Sequence, residues 1–597
     1  MDNKEYIRLD FLPGVTSNIT QHAIEGGWYD SDKVRFRDGK PRSIGGWVDV
    51  NGVASTVTFQ GKARGLHTWT DYTGIDYVAF GTDKKLYIWK QSSNFVDITP
   101  VRTSTNLSNN FNTSVSSNLV LITATGHGGA DGDIIAIVSA TISLGNTILL
   151  TSAGVSTEYT AIVSNANTFW VSTASVATSA LSQGGGTAIL LWYLPIGRTD
   201  ATPGLGWGAG AWGVSTWGTA RGTGILQPLR TWALDSWGQT LVAAPHHLAL
   251  YQWGLSETTR ASVITAAPSI IDFLVVSPED QHVICVGTHD ESGTYNPLLV
   301  RWCSQGNLTD WATSATNTAG SKTLSGKGKL VSAMRGIHQI LLFTDTALYS
   351  MTHQGPPLTF AFDIIGDNCG IIAPHARVFA DGRAFWMGHK QFFYYDGAVH
   401  PLKCPVRNMV FDILHEDQAS KTYAGHNSQF NEITWFFQSL SASEVDRYVS
   451  YNYVQDCWYY GTLARTSWMD ADIFTRPVAA GTDGKLYFHE SGVSANGDEL
   501  NSYIESGFMN IKDGTEISFV DAFVPDFEVS AGSLNVTLRM NKYPQQTPTN
   551  KGPIPINSTT GKKGIRARGR QLAVRVSGNG KWVYGSPLIR IKSDGER

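Results

Sequence analysis

One phrase, written twice and 400 residues apart, constrains this 597-residue chain more than any other feature. Gly81-Thr82-Asp83-Lys84-Lys85-Leu86-Tyr87 returns as Gly481-Thr482-Asp483-Gly484-Lys485-Leu486-Tyr487. A third copy, Thr344-Asp345-Thr346-Ala347-Leu348-Tyr349, lies between them, and looser versions end at Leu250-Tyr251 and Phe393-Tyr394-Tyr395. Each follows a short apolar run: YVAF, LVAA, ILLF, AFWM or VAAG. A strand, a polar Thr-Asp-x-x turn and a second strand with alternating apolar residues make a β-hairpin. With LLVRW and DRYVSY included, hairpin ends fall near 251, 301, 349, 395, 448 and 487, in steps of 50, 48, 46, 53 and 39. Four-stranded propeller blades repeat at about 40 to 50 residues. Adding the copy at Tyr87, the spacing predicts an all-β chain built on a β-propeller of about seven blades.

The step from 87 to 251 is longer than one blade by about 115 residues, so something is inserted there. Between Thr103 and Gly197 the only charged residues are Asp131, Asp133 and Glu158. LVLIT, DIIAIV, TILLT, YTAIV and TFWVS read as its strands, which makes 103-197 a separate small β domain. After it, Trp207, Trp212 and Trp217 recur every five residues among glycines, a period of neither strand nor helix, and read as an irregular aromatic-anchored loop. Helical spacing is confined to Val406, Val410, Ile413 and Leu414. Beyond Ser502, FVDAFVPDFEV, LNVTLRM, QLAVRV and PLIRIK alternate apolar and polar residues and predict a terminal β-sandwich or barrel-like module. The divisions are thus 1-102 (N-terminal segment and first blade), 103-197 (insert), 198-501 (remaining blades) and 502-597 (basic terminal module).

Composition supports this and excludes other classes. Charged residues are 16% of the chain against a usual value of about 25%, while 42% is hydrophobic and Trp numbers 19, which rules out disorder and coiled coil. No apolar run approaches the roughly 18 residues of a spanning helix, and MDNKEYIRLD lacks the apolar region of a secretory signal, so a soluble protein made in the cytoplasm is expected. Cys285, Cys303, Cys369, Cys404 and Cys457 form no CxxC pair and read as small buried hydrophobes, with no metal site. The formal net charge of -4 conceals an asymmetry. Val529 to Ser593 holds 12 basic and no acidic residues, leaving -16 on the remainder.

Motifs for catalytic or cofactor chemistry are scarce in the sequence. Gly320 to Gly328 has one residue too many for a phosphate loop and a glycine where a Mg²⁺ ligand would need a hydroxyl. There is no HExxH, GxSxG or calcium-loop motif. His246 and His247 would alternate across a strand, away from any common metal. The pairs Asp470/Asp472 and Asp131/Asp133 share faces of extended segments, but a glycosidase needs two carboxylates about 5 to 10 Å apart across a sugar, and such sequence pairs are common turn residues. The expectation is a non-enzyme without cofactor. Arg566, Arg568 and Arg570 would place three guanidinium groups on one side of a strand, and with Lys562, Lys563 and Arg575 they are the candidate docking or phosphate-contact residues. A charged guard on a solvated edge strand is the competing reading.

Several stretches together resemble a bacteriophage tail family: Phe11-Leu12-Pro13-Gly14, Gly27-Trp28-Tyr29, Lys33 to Pro41, Ile44-Gly45-Gly46-Trp47, Gly206 to Gly210, Gly355-Pro356-Pro357 to Gly370, and Gly569-Arg570-Gln571 to Arg597. The resemblance is weakest in the insert, where Gly126-His127-Gly128 with Gly132-Asp133 resembles a β module inserted in phage proteins. The family is the tail nozzle or hub of short-tailed phages, similar to packaged-DNA stabilisation proteins. The resemblance implies a virion tail component without catalytic residues, assembled in the host cytoplasm. It implies a homohexamer below the portal and adaptor that retains double-stranded DNA and opens for its ejection, with tail fibre proteins as further partners. An acidic channel would let a polyanion slide, whereas a basic one would hold it. The alternative is a carbohydrate-binding or glycan-degrading tail-spike propeller.

Overall fold

The computed structural model describes residues 5–91, 93–138, 142–144, 148–151, 157–206, 221–277, 279–355 and 358–595. Trp207, Trp212 and Trp217 of the glycine-rich loop, Pro356, Pro357, Glu596 and Arg597 lie outside the described residues. The chain is all-β, with a short α-helix at Arg407–Ile413 that buries Val410, as the spacing of Val406, Val410 and Leu414 predicts. No described helix is long and apolar enough to cross a membrane. The fold divides into two compact units, residues 59–324 and residues 1–58 with 325–597.

The first unit contains three antiparallel four-stranded sheets, each in simple sequence order. They run Ala63–Thr70, Asp76–Thr82, Leu86–Lys90, Val96–Asp97; then Trp232–Trp237, Thr240–Pro245, Tyr251–Trp253, Ser262–Val263; then Ile271–Ser277, His282–His289, Tyr295–Trp302, Gly320–Thr323. The leading strands of neighbouring sheets adjoin. Val101–Ser108 to Thr187–Tyr193 bound the insert, a sheet of four strands and one of five around a core of its own that includes Phe111, Ile135, Phe169, Leu190 and Trp192. The three charges of the insert all have structural work. Glu158 meets Lys85 and lies 4.0 Å from Arg260, Asp133 is buried beside Arg102 at 3.5 Å, and Asp131 accepts the Val163 N–H. Its Gly-His-Gly phrase places a buried His127 ring flat against Trp192, 5.0 Å between centroids.

The second unit contains sheets of the same order at Leu330–Arg335 to Thr359–Asp367, Arg377–Ala380 to Val399–Leu402, and Tyr423–Asn427 to Cys457–Thr462. A further sheet, Arg465–Met469, Val478–Gly481 and Leu486–His489, takes its next strand from the other end of the chain. Trp47–Asp49 pairs antiparallel with Leu486–His489. Every hairpin end read from the sequence lies in the third strand of one of these sheets, or of the three in the first unit. The terminal module also recruits the N-terminus. Glu5–Arg8 pairs with Leu588–Ser593 and Trp28–Asp32 with Ser502–Ser506, while Val34–Arg37 and Lys40–Ser43 join Trp582–Tyr584. These pairings satisfy backbone groups that local sequence leaves open, and nothing in the N-terminal segment alone could reveal partners 500 residues away.

The repeated phrase has a chemical logic. Thr344 Oγ1 accepts the N–H groups of Thr346 (3.2 Å) and Ala347 (2.7 Å) and donates to the Ala347 carbonyl (2.9 Å), and Thr82 does the same for Lys84 and Lys85. The following aspartate reaches back to the segment that leads into the sheet: Asp83 accepts the Lys62 N–H, and Asp345 that of Lys329. Tyr349 donates to the Ser325 carbonyl, and Tyr87 accepts the Gln60 N–H, pinning the same leading segment. Gly61 (φ +90°) and Gly328 (φ +96°) make room for this, since a Cβ at Gly328 would lie 1.9 Å from Asp345. In these two copies the motif includes a Gly-Lys pair, its glycine 22 and 17 residues before the aspartate, that hairpin pattern alone does not reveal. Thr344→Val should leave buried turn amides unsatisfied and lower stability by about 1–3 kcal/mol, with Thr344→Ser close to wild type, in denaturant unfolding.

Candidate functional site

The basic terminal module is where sequence places a docking site, and part of its charge is answered internally. Glu505, buried on Ser502–Ser506, accepts from Arg575 Nη1 (2.9 Å), Gln21 Nε2 (2.8 Å) and Arg539. Asp521 accepts from Arg590 Nε and Nη2 at 2.6 and 2.9 Å, with Lys592 at 4.0 Å, and Arg568 pairs with Asp594. These acids lie just outside the acid-free stretch, so composition within it overstated the free charge. Register brings Glu505 directly opposite Arg575. Only the fold could show that.

The candidate residues separate accordingly. Arg575 stacks over the Tyr503 ring at 3.8 Å, and the Tyr503 hydroxyl donates to Asp30. Arg566 and Arg568 lie on the strand Lys563–Gly569, but Arg570 does not. The strand ends at Gly569, where absence of a Cβ permits close approach to the Asn541 carbonyl, and the Arg570 guanidinium sits 5.1 Å over Tyr543. The expected row of three guanidinium groups is thus reduced to two, one of them paired. Lys562, Lys563 and Arg566 are exposed and have no ion-pair or hydrogen-bond partner among the described residues. Arg566 borders a shallow groove with Phe519, Asp521, Gly564 and Ile565.

Sequence reasoning missed two polar clusters, the first of them buried. In the first, Arg35 on Val34–Arg37 bridges two carboxylates. Nη1 and Nη2 donate to Glu490 at 2.9 and 2.6 Å, Nη2 donates to Glu432 at 3.0 Å, and Nε lies 2.8 Å from Glu432 Oε1. The guanidinium lies 3.7 Å over Phe430. Burial pushes the Glu432 carboxyl up to about 7, opposed by Arg35 and reinforced by the Glu490 charge. Nearby, Arg465 is lowered to about 10 by burial and donates to His489, whose imidazole burial holds well below its ordinary range. The second cluster corrects the expected alternation of His246 and His247. The strand ends at Pro245 and His247 has φ +62°, so both imidazoles turn to the buried Asp272, at 3.7 and 3.1 Å. Tyr295 donates to the other Asp272 oxygen at 2.5 Å.

The carboxylate pairs are taken up elsewhere. Asp470 faces His426 at 2.9 Å and accepts the Ser428 and Ala471 N–H groups. Among the described residues no group of three His, Cys, Asp or Glu is arranged to hold a metal ion. The cysteines are free, with Cys404 half-buried and the other four buried, and burial pushes the Cys303 thiol up to about 11.

No family model matches the chain, and no curated protein matches it. Among solved structures it is similar to the computationally designed Ika8 protein, at 12% identity over 72% of this chain and 97% of that one, with a TM-score of 0.32. It is also similar to phage phi92 endosialidase, at 10% identity over 84% of this chain and 70% of that one, with a TM-score of 0.21. At TM-scores this low neither neighbour bears on fold or function.

Proposed function

We propose that the chain is a structural component of a bacteriophage tail, a nozzle or hub subunit. In this reading the six four-stranded sheets in sequence order and the sheet that Trp47–Asp49 joins are seven blades of one propeller, and six copies ring a channel for double-stranded DNA. The observation that carries it is the pairing of Trp47–Asp49 with Leu486–His489, in which the start of the chain completes a sheet built near its end. In this reading the exchange joins the two ends of the chain in the last blade. The resemblance of the N-terminal and C-terminal motifs to the nozzle family supports the assignment to a tail. A net negative bulk suits passage of a polyanion, and the basic module suits a fixed joint with an acidic adaptor or portal surface. The work is mechanical, with no bond made or broken. Native mass measurement with electron microscopy of the purified protein should give a hexameric ring. A stable trimer that cleaves polysaccharide would replace this reading with the tail-spike one.

A further inference from the structure

Three of the exposed cations of the basic module gather at one sheet edge. Lys563–Gly569 is the outer strand of the sheet ordered Glu5–Arg8, Leu588–Ser593, Ser518–Val524, Lys563–Gly569. Its far side presents backbone N–H and C=O groups to whatever arrives there. Around its first half the surface is open: a Cβ built at Gly561 or Gly564 would meet nothing within 4 Å. Lys563 and Arg566 stand on this half and Lys562 just before it, their side chains without a partner among the described residues, whereas Arg568, Arg575, Arg590 and Lys592 have acids beside them. The groove alongside combines the apolar surfaces of Phe519 and Ile565 with Arg566, and its acid, Asp521, is engaged by Arg590.

We infer that this edge receives an extended acidic segment of another protein by β-strand addition. Main-chain hydrogen bonds to the edge would supply affinity, and alternating side chains would supply selectivity. An incoming strand points successive side chains to opposite faces. One set meets the groove, where the apolar surfaces of Phe519 and Ile565 adjoin the Arg566 guanidinium, so the matching segment combines apolar residues with Glu or Asp. Duplex DNA is disfavoured as the occupant. Specific duplex binders make about 6–10 phosphate contacts, and three unpaired cations at one strand end fall short of that. The inference rests on the docking role proposed above for the module and adds the partner's chemistry.

The test uses the full chain and a synthetic peptide of about eight residues alternating Glu and Val, a typical strand length. Anisotropy should show saturable binding that weakens with salt, and hydrogen exchange should show Lys563–Gly569 amides protected by the peptide. The variant K562A/K563A/R566A, all at exposed positions, should keep the wild-type melting curve and bind about tenfold more weakly. Methylating the peptide backbone amides, which removes donors and keeps the charge, should abolish binding. Equal binding of the methylated peptide, or its displacement by a duplex oligonucleotide, would show a plain charge patch and overturn strand addition. Self-association of the triple variant with unchanged peptide affinity would show guard charges only and overturn it as well. Neither outcome depends on ring formation, so a hexamer without peptide binding, or peptide binding without a hexamer, separates this inference from the proposed function.

Discussion

Arg35→Ala should destabilise the protein by about 3–5 kcal/mol, because it strands Glu432 and Glu490 in the interior without their shared cation. The side chains of Arg35 and Glu432 are 4% and 5% exposed, so water cannot take over the missing role. The signature that separates lost charge from lost packing is pH dependence. In the fold the Glu432 carboxyl is raised from an ordinary 4.5 to about 7. The folded chain therefore binds this proton more tightly than the unfolded chain. Stability from this group is fully present below the unfolded value and is lost as pH rises through the folded one. Removing Arg35 raises the carboxyl further and widens that window. Denaturant unfolding should show the variant recovering part of its deficit between about pH 8 and pH 5, more than wild type gains. An equal deficit at both values would mean that packing over Phe430, and not charge, is what Arg35 contributes.

Trp232→Ala should cost about 3–5 kcal/mol in the unit of residues 59–324. The indole is buried between two of its sheets and donates to the Thr82 carbonyl at 2.7 Å, inside the repeated Gly-Thr-Asp phrase. Two glycines are cut to its shape. A Cβ at Gly81 would fall 2.1 Å from the ring, and one at Gly65 2.4 Å from the Trp232 carbonyl oxygen. Trp232→Phe should keep most of the apolar burial and leave the Thr82 carbonyl without the indole donor, at about 1–3 kcal/mol. Gly81→Ala should approach the cost of the alanine variant, since neither backbone nor ring has room to yield. Thermal unfolding of the three variants checks the order. If Trp232→Phe were as damaging as Trp232→Ala, the hydrogen bond would outweigh the packing.

The same device recurs where the sequence shows only scattered tryptophans. Trp435 donates to the Ala376 carbonyl, Trp468 to that of His426 and Trp386 to that of Cys369. Each joins backbone at sequence separations of 59, 42 and 17 residues. Abundant indole was legible as a core material, but not as a set of donors aimed at backbone carbonyls remote in sequence. The candidate docking residues show the converse. Their charge was legible residue by residue, yet which ones remain free depends on Glu505, Asp521 and Asp594 arriving through strand register.

What the amino-acid order determined by itself is local and periodic: the hairpins, their spacing, the charge-poor insert and the short helix near Val410. Period-two patterning and turn chemistry act over a few residues, so a single pass along the chain can read them. Tertiary structure alone decided the pairings of the N-terminal strands with the last hundred residues, the Arg35 bridge and the convergence of His246 and His247 on Asp272. These depend on backbone groups and charges that must find partners far away in sequence once water is excluded. The identity of such a partner is written at its own position and nowhere near the residue it satisfies.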